Sequence, residues 1–221
     1  MQLVAEFFGD AIGYFVEVGA NDPRERSQTW HLEQNGWTGI LIEPQPDLVD
    51  KLREMRKAKV FEVACSLPSN AGQMLPLHFA GALSSLDRGR MAPGATPEGV
   101  IQVPIRTLDS VLDQAGSPAQ LDFVSIDVEG HELEVLLGFD LGRWQPRLIL
   151  LEHHVVDLSK HHYLLAAGYR IVRRYENNGW YVPNNSVVRI SGTDWWEILR
   201  KYYLALPIRW LRNLSRRLRG K

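Results

Sequence analysis

The chain has 221 residues, 45% apolar and 23% charged, with a formal net charge of −1, which suits one globular α/β domain with a proper core. Its single cysteine, Cys65, excludes an internal disulfide and argues against a cysteine-based zinc site, in keeping with a reducing cytoplasm. No signal peptide is expected at the N-terminus, and the apolar runs fall short of the ~20 residues of a membrane-crossing helix, so the expected location is cytoplasmic.

Phe15 to Val18 is a short apolar strand, broken by the loop Gly19-Ala20-Asn21. Ser27 is placed to cap a helix through Trp30, Leu32 and Gln34, which Gly36 ends. Residues 39–42 form the next strand, closing at Glu43-Pro44; Pro46 then starts a helix reaching about Ala58. Val60 to Ala64 is expected as a third strand. Two strand-like runs, Met74 to Phe79 and Val100 to Arg106, flank a loop rich in Gly, Ser and Pro, a length that usually marks function or disorder. Thr107 caps a helix ending near Gly116; Leu121 to Ile126 is a buried strand; a helix follows from Glu132 to Gly138. Residues 147–152 are another buried strand, 158–167 a helix closed by Gly168, and 169–175 with 180–183 a terminal antiparallel pair around Asn177-Asn178-Gly179. Strands alternating with helices predict a mostly parallel sheet covered on both faces.

The octapeptide Ser125-Ile126-Asp127-Val128-Glu129-Gly130-His131-Glu132 concentrates the chemistry. Acids at a strand end opening into a helix sit where open α/β sheets bind ligands, and burying them costs free energy unless a cation or a proton offsets it. A solvated helix start is the plainer reading, and it suits Glu132 best. Gly19 lets a ligand approach the backbone, and Glu43, at the end of the second strand, stands where an acid binds ribose hydroxyls in nucleotide-binding folds. The dinucleotide fingerprint GxGxxG is absent, which counts against a nicotinamide oxidoreductase.

Three stretches, residues 15–21, 36–44 and 126–132, together with Thr107-Leu108-Asp109 and residues 146–152, resemble the FkbM-type S-adenosylmethionine-dependent methyltransferases over about residues 13–153. One departure is Pro23, inside Asp22 to Arg26, where many members carry glycine. The resemblance implies an α/β, Rossmann-like class I methyltransferase fold of seven mostly parallel strands with a C-terminal antiparallel hairpin. It also implies S-adenosylmethionine as cofactor and O-methylation of a sugar in a polysaccharide, glycolipid or glycosylated metabolite. The expected cofactor contacts are Glu17, Gly19, Ala20, Asn21, Glu43, Ser66 and Asp127.

An aliphatic hydroxyl is a weak nucleophile at neutral pH, so either a general base or a divalent cation must lower its proton's hold. Asp127, His131 and His153 are the candidate catalytic residues. Asp127, Glu152 and His153 are the candidate ligands for Mg2+ or another divalent cation. His154 is as open to packing as to ligation, and His161 with His162 reads as a helix surface. The segment Gly81 to Leu86 is expected to face the acceptor. For Trp30, Trp37 and Trp180, packing ranks ahead of stacking on a sugar ring.

Residues 207–221 carry Arg209, Arg212, Arg216, Arg217, Arg219 and Lys221 and no acid, so the body before them is acidic. Ile208, Leu211, Leu214 and Leu218 recur near helical spacing, the pattern of a basic amphipathic helix on a membrane surface. The chain therefore divides into a methyltransferase domain, 1–206, and a basic tail, 207–221, with peripheral contact at the inner membrane face expected of the tail. Nucleic acid is not expected as a partner, and oligomerisation is left open. A catalytically inactive glycan-binding or scaffold protein of the same fold is the alternative reading.

Overall fold

The structure, a computed structural model, describes residues 2–81, 83–91, 96–153 and 157–204. The chain first lays down α1 (Gln2–Phe8), β1 (Tyr14–Val18), α2 (Trp30–Gln34), β2 (Thr38–Ile42), α3 (Pro46–Met55) and β3 (Lys59–Phe61). It then leaves the main sheet for β4 (Ala64–Cys65), β5 (Met74–Phe79) and β6 (Gly99–Arg106). The main sheet resumes through α4 (Leu108–Ala115), β7 (Phe123–Ile126), α5 (Glu132–Leu137), α6 (Leu141–Trp144), β8 (Leu148–Glu152), α7 (Ser159–Ala166), β9 (Tyr169–Tyr175) and β10 (Asn178–Pro183). It closes with α8 (Gly192–Ile198) and a π-helical segment, Leu199–Leu204.

The seven-stranded sheet has the order β3-β2-β1-β7-β8-β10-β9, and β4-β6-β5 form a three-stranded sheet. Pairing is parallel from β3 through β8 and antiparallel at β10, which joins β8 to β9. Strand order reverses at β1, so the crevice beyond Val18 and Ile126 is the topological switch point where such sheets take ligands.

Because both faces are covered, the central strands are mostly apolar, and in β7 and β8 every residue is buried, Ser125 and Glu152 included. On one face Val16, Ile40, Val124 and Ile149 pack with Leu108, Val111, Val135 and Leu164 of the helices. On the other, Phe15, Leu41, Phe123 and Leu148 pack with Val4, Phe8, Leu32 and Leu52. Side chains two apart in a strand share a face, which explains the partition.

Some sequence expectations need correction. The third strand is split: residues 59–61 pair with β2, while Ala64–Cys65 pair with Ile105–Arg106. His161 lies not on a helix surface but 1% exposed, its Nδ1 bonded to the Tyr181 hydroxyl at 3.0 Å, while His162 is exposed. α1, α6 and α8 are short helices that the sequence analysis passes over. Trp37 and Trp180 are core residues, as packing predicts. The tail 207–221 and His154 lie outside the described residues.

Candidate functional site

The loops after β1, β2 and β7 converge because the backbone ties them together. Gly19 and Ala20 donate to the Ile42 carbonyl at 2.9 and 3.1 Å, and Asp127 donates its N–H to the Val18 carbonyl at 3.0 Å. Gly19 sits at φ +83°, and a Cβ there would lie 1.8 Å from the Asp127 carbonyl oxygen. Only glycine lets the two strand ends approach so closely.

A hollow opens at this junction. Its walls are apolar at Val18, Ile42, Pro44, Val63, Leu77 and Leu86, and its polar groups are Asn21, Glu43, Gln45, Ser84, Asp127, Glu129 and His131. β5 of the small sheet supplies Leu77, and the strap that follows it, residues 80–91, supplies Ser84 and Leu86, so the insertion borders the hollow. The strap is tied down where Ser85 Oγ donates to the Glu129 carbonyl at 2.8 Å and Arg90 donates to the Gly130 carbonyl at 3.0 Å and to Glu134 at 2.8 Å.

Glu43 is buried and accepts three N–H donors: Asn21 N at 2.9 Å, Gln45 N at 3.0 Å and Gln45 Nε2 at 3.2 Å. Burial still raises its pKa above the usual carboxylate value. A carboxylate has about four lone-pair positions, so one acceptor position remains for a ligand.

A second hollow adjoins the first and shares Gly19, Asn21, Asp127 and Glu129 with it; Ala20, Glu25, Arg26 and Gln28 complete its rim. Glu17 lies at its floor but is committed to the loop above. Its carboxylate accepts Gln28 N at 2.7 Å, Ser27 Oγ at 3.1 Å and the Thr29 hydroxyl. Arg56 steadies the same loop, reaching Glu33, Ser27 and Thr29. In the departure segment, Asp22 Oδ1 accepts the N–H groups of Arg24 and Glu25, so Pro23 is absorbed in a tight turn.

Asp127 and Glu129 line both hollows, and Glu152 joins them, with one carboxylate oxygen from each of the three lying within 4.8 Å of the others. Burial, and then the charges of Glu152 and Glu132, push Asp127 well above the usual range. Burial followed by like charges lifts Glu129 and Glu152 to about 7. Asp127 and Glu152 share a side-chain hydrogen bond, which needs a proton between them. Lys160 stands behind this group, bonded to the Glu132 carboxylate at 2.5 Å and to the Glu152 carbonyl at 3.1 Å.

The candidate histidines separate. His131 lines the first hollow, with Nε2 2.9 Å from Ser66 Oγ and with Nδ1 lacking a hydrogen-bond partner. Ser66 is fully buried beneath that ring, and Asn70 also donates to it at 3.0 Å, so in this structure Ser66 supports His131. His153 turns away from the acids. Its Nδ1 meets the Tyr202 hydroxyl at 3.1 Å and its Nε2 the Asp157 carbonyl at 2.7 Å. The acidic set therefore contains Glu129 where the sequence analysis names His153.

Lys160, Gln45 and Arg90 escape a reading of the sequence. Each acts through tertiary contact from a segment whose local pattern is ordinary. Glu129 was visible in the octapeptide, and its φ of +52° is a strained value of the kind that gathers at functional sites.

A family model described as Methyltransferase FkbM domain matches residues 17–171. No curated protein matches the chain. Among solved structures, methyltransferase FkbM from Methylobacillus flagellatus KT is similar over 77% of this chain, with 16% identity and a TM-score of 0.51. The chain spans 43% of that protein's length. A precorrin-6y C5,15-methyltransferase from Geobacter metallireducens GS-15 is matched over 77% of this chain and 78% of its own, at 15% identity and a TM-score of 0.39.

Proposed function

This chain belongs to the FkbM methyltransferase family, and from that premise we propose that it moves a methyl group from S-adenosylmethionine to a hydroxyl, of a sugar unit in a glycan or glycosylated metabolite. One observation carries the reading. A hollow at the switch point is lined both by the acid after β2, Glu43, and by the acids after β7, Asp127 and Glu129, with the Glu152 carboxylate at the end of β8 beside them.

The residues present suit the cofactor. Glu43 offers its remaining acceptor position to a ribose hydroxyl, and Ile42, Pro44, Val63 and Leu86 offer an apolar slot for a purine. Asn21, Gly19 and Ala20 border the passage into the second hollow, where acids face a cationic ligand and Arg26 faces an anionic one. When bound, the cofactor supplies an already activated methyl, so the protein's work is positioning and proton removal.

Glu129 is the favoured proton acceptor. It faces both hollows, and a base works best when its pKa lies near the working pH, as it does at about 7. Asp127 and Glu152, joined by one proton, hold the acceptor hydroxyl beside it. His131 is the second candidate, its Nδ1 without a hydrogen bond and 3.8 Å from the Glu134 carboxylate. A divalent cation held by Asp127, Glu129 and Glu152 would supply the alternative activation by lowering the hydroxyl pKa.

Calorimetry with S-adenosylhomocysteine, and turnover of labelled S-adenosylmethionine over a panel of glycans with and without chelator, test the reading. Binding that Glu43→Ala weakens, together with labelled glycan, supports it. Absence of cofactor binding sinks it and favours the scaffold alternative. Loss of turnover with chelator, restored by Mg2+, assigns the acids to the cation.

A further inference from the structure

The C-terminal segment presents two chemically distinct faces. Ile198 and Tyr202, four residues apart, are buried against the body, Tyr202 at 0% exposure. Trp195, Trp196, Tyr203 and Leu204 each stand more than half exposed. Their spacing of about eight residues puts them on one stripe of the helix that α8 and the π-helical segment form. Val187 and Ile190, just before α8, are exposed as well.

Adjacent exposed tryptophans are unusual on a surface that meets only water, since large exposed apolar patches mark interaction sites. The acids nearby are already matched: Asp194 pairs with Arg173 at 3.6 Å, and Glu197 pairs with Arg200 at 2.8 Å and Lys201 at 2.5 Å. Arg189 and Arg200 are exposed on the same segment. Directly after Leu204 the sequence runs on into Trp210, Leu211, Leu214 and Leu218 among five arginines and a lysine with no acid.

We propose that this aromatic stripe is a docking surface for an anionic phospholipid bilayer, seated at the headgroup level by Trp195, Trp196 and Tyr203 with Arg189 and Arg200 beside them. Tryptophan and tyrosine favour that level because their rings are apolar at one end and polar at the other. The basic residues supply the long-range attraction to anionic headgroups, and the aromatic side chains supply the burial; two signals together give stable attachment where one is marginal. The inference stands apart from methyl transfer and does not depend on it.

The test uses the full chain with phosphatidylglycerol–phosphatidylcholine vesicles and with phosphatidylcholine alone. Co-sedimentation is expected with the anionic vesicles and to fall as salt rises. Trp195→Ser with Trp196→Ser should weaken it by about tenfold or more. In a Trp210→Phe chain, brominated lipid should still quench and blue-shift the emission, which places the stripe rather than the tail in the bilayer. This second readout also decides the matter if the double variant does not fold. Equal binding by the double variant, no quenching in the Trp210→Phe chain, or absence of vesicle binding would overturn the proposal. So would a dimer that the tryptophan substitutions convert to monomer, since a second copy would then be the occupant.

Discussion

Glu43 anchors three N–H donors while facing the hollow, so its removal should hurt twice. Glu43→Ala leaves the Asn21 and Gln45 amides without their acceptor and removes the proposed ribose contact. We predict roughly 10–100-fold weaker S-adenosylhomocysteine binding, measured by calorimetry. Glu129 carries the opposite bias. Its folded pKa of about 7 lies above the ordinary carboxylate value of 4.5. The folded state therefore holds a proton that the unfolded state has lost, and stability falls as pH rises from 4.5 to 7. Glu129→Gln should raise the Tm, more at pH 8 than at pH 5, while lowering turnover. A Tm gain independent of pH would count against this account. The octapeptide made the site legible because acids at the end of an apolar strand are costly and therefore informative. His153 was misleading for a related reason. It stands at another strand end, but whether such a ring faces the crevice depends on Tyr202, 49 residues later.

At the scale of elements, β1 and β7 meet through one glycine. Gly19→Ala would drive a methyl into the Asp127 carbonyl and hold a left-handed φ at the same time, so the two strand ends must separate. We predict a loss of about 3 kcal/mol or more in urea unfolding, together with loss of cofactor binding. The layer of α7, β8, β10 and the C-terminal segment holds buried His153 and His161. Burial depresses both to about 4, below the ordinary 6.5. Their contribution is thus complete above 6.5 and is lost as pH falls toward 4, because the unfolded chain takes up protons first. Replacing both rings by Gln should shrink the drop in the urea midpoint between pH 7 and pH 5, even though the neutral-pH stability is lower. The elements of the main sheet were legible because long apolar strands and amphipathic helices carry strong periodicity. The break between β3 and β4 was not, since Val60 to Ala64 has strand composition throughout and only pairing with β6 decides where the chain changes sheets.

For the molecule as a whole, alternation plus a terminal hairpin suffices to expect a mostly parallel sheet with an antiparallel edge, whereas the order β3-β2-β1-β7-β8-β10-β9 is decided by tertiary packing. The insertion of β4, β5 and β6 at the border of the hollow is a tertiary fact, invisible to local pattern. The C-terminal segment is equally tertiary: Ile198 and Tyr202 complete the core that Tyr181 and Ile171 begin. A chain ending at Leu204 should keep its cooperative thermal transition. One ending at Ser191 should lose several kcal/mol, because burial of two large side chains and the Tyr202 hydrogen bonds go with it. Circular dichroism melts of the two truncations distinguish these outcomes.

Tyr202 reaches further than packing. Its hydroxyl is hydrogen-bonded to the His153 ring and to Arg174, and Arg174 also grips the His153 carbonyl, one residue beyond Glu152. A displacement of the helix bearing the two tryptophans would therefore be passed, through a phenol and an imidazole, to the end of β8 where Glu152 stands. On the proposed docking, slower amide exchange at residues 150–153 is expected when vesicles are added.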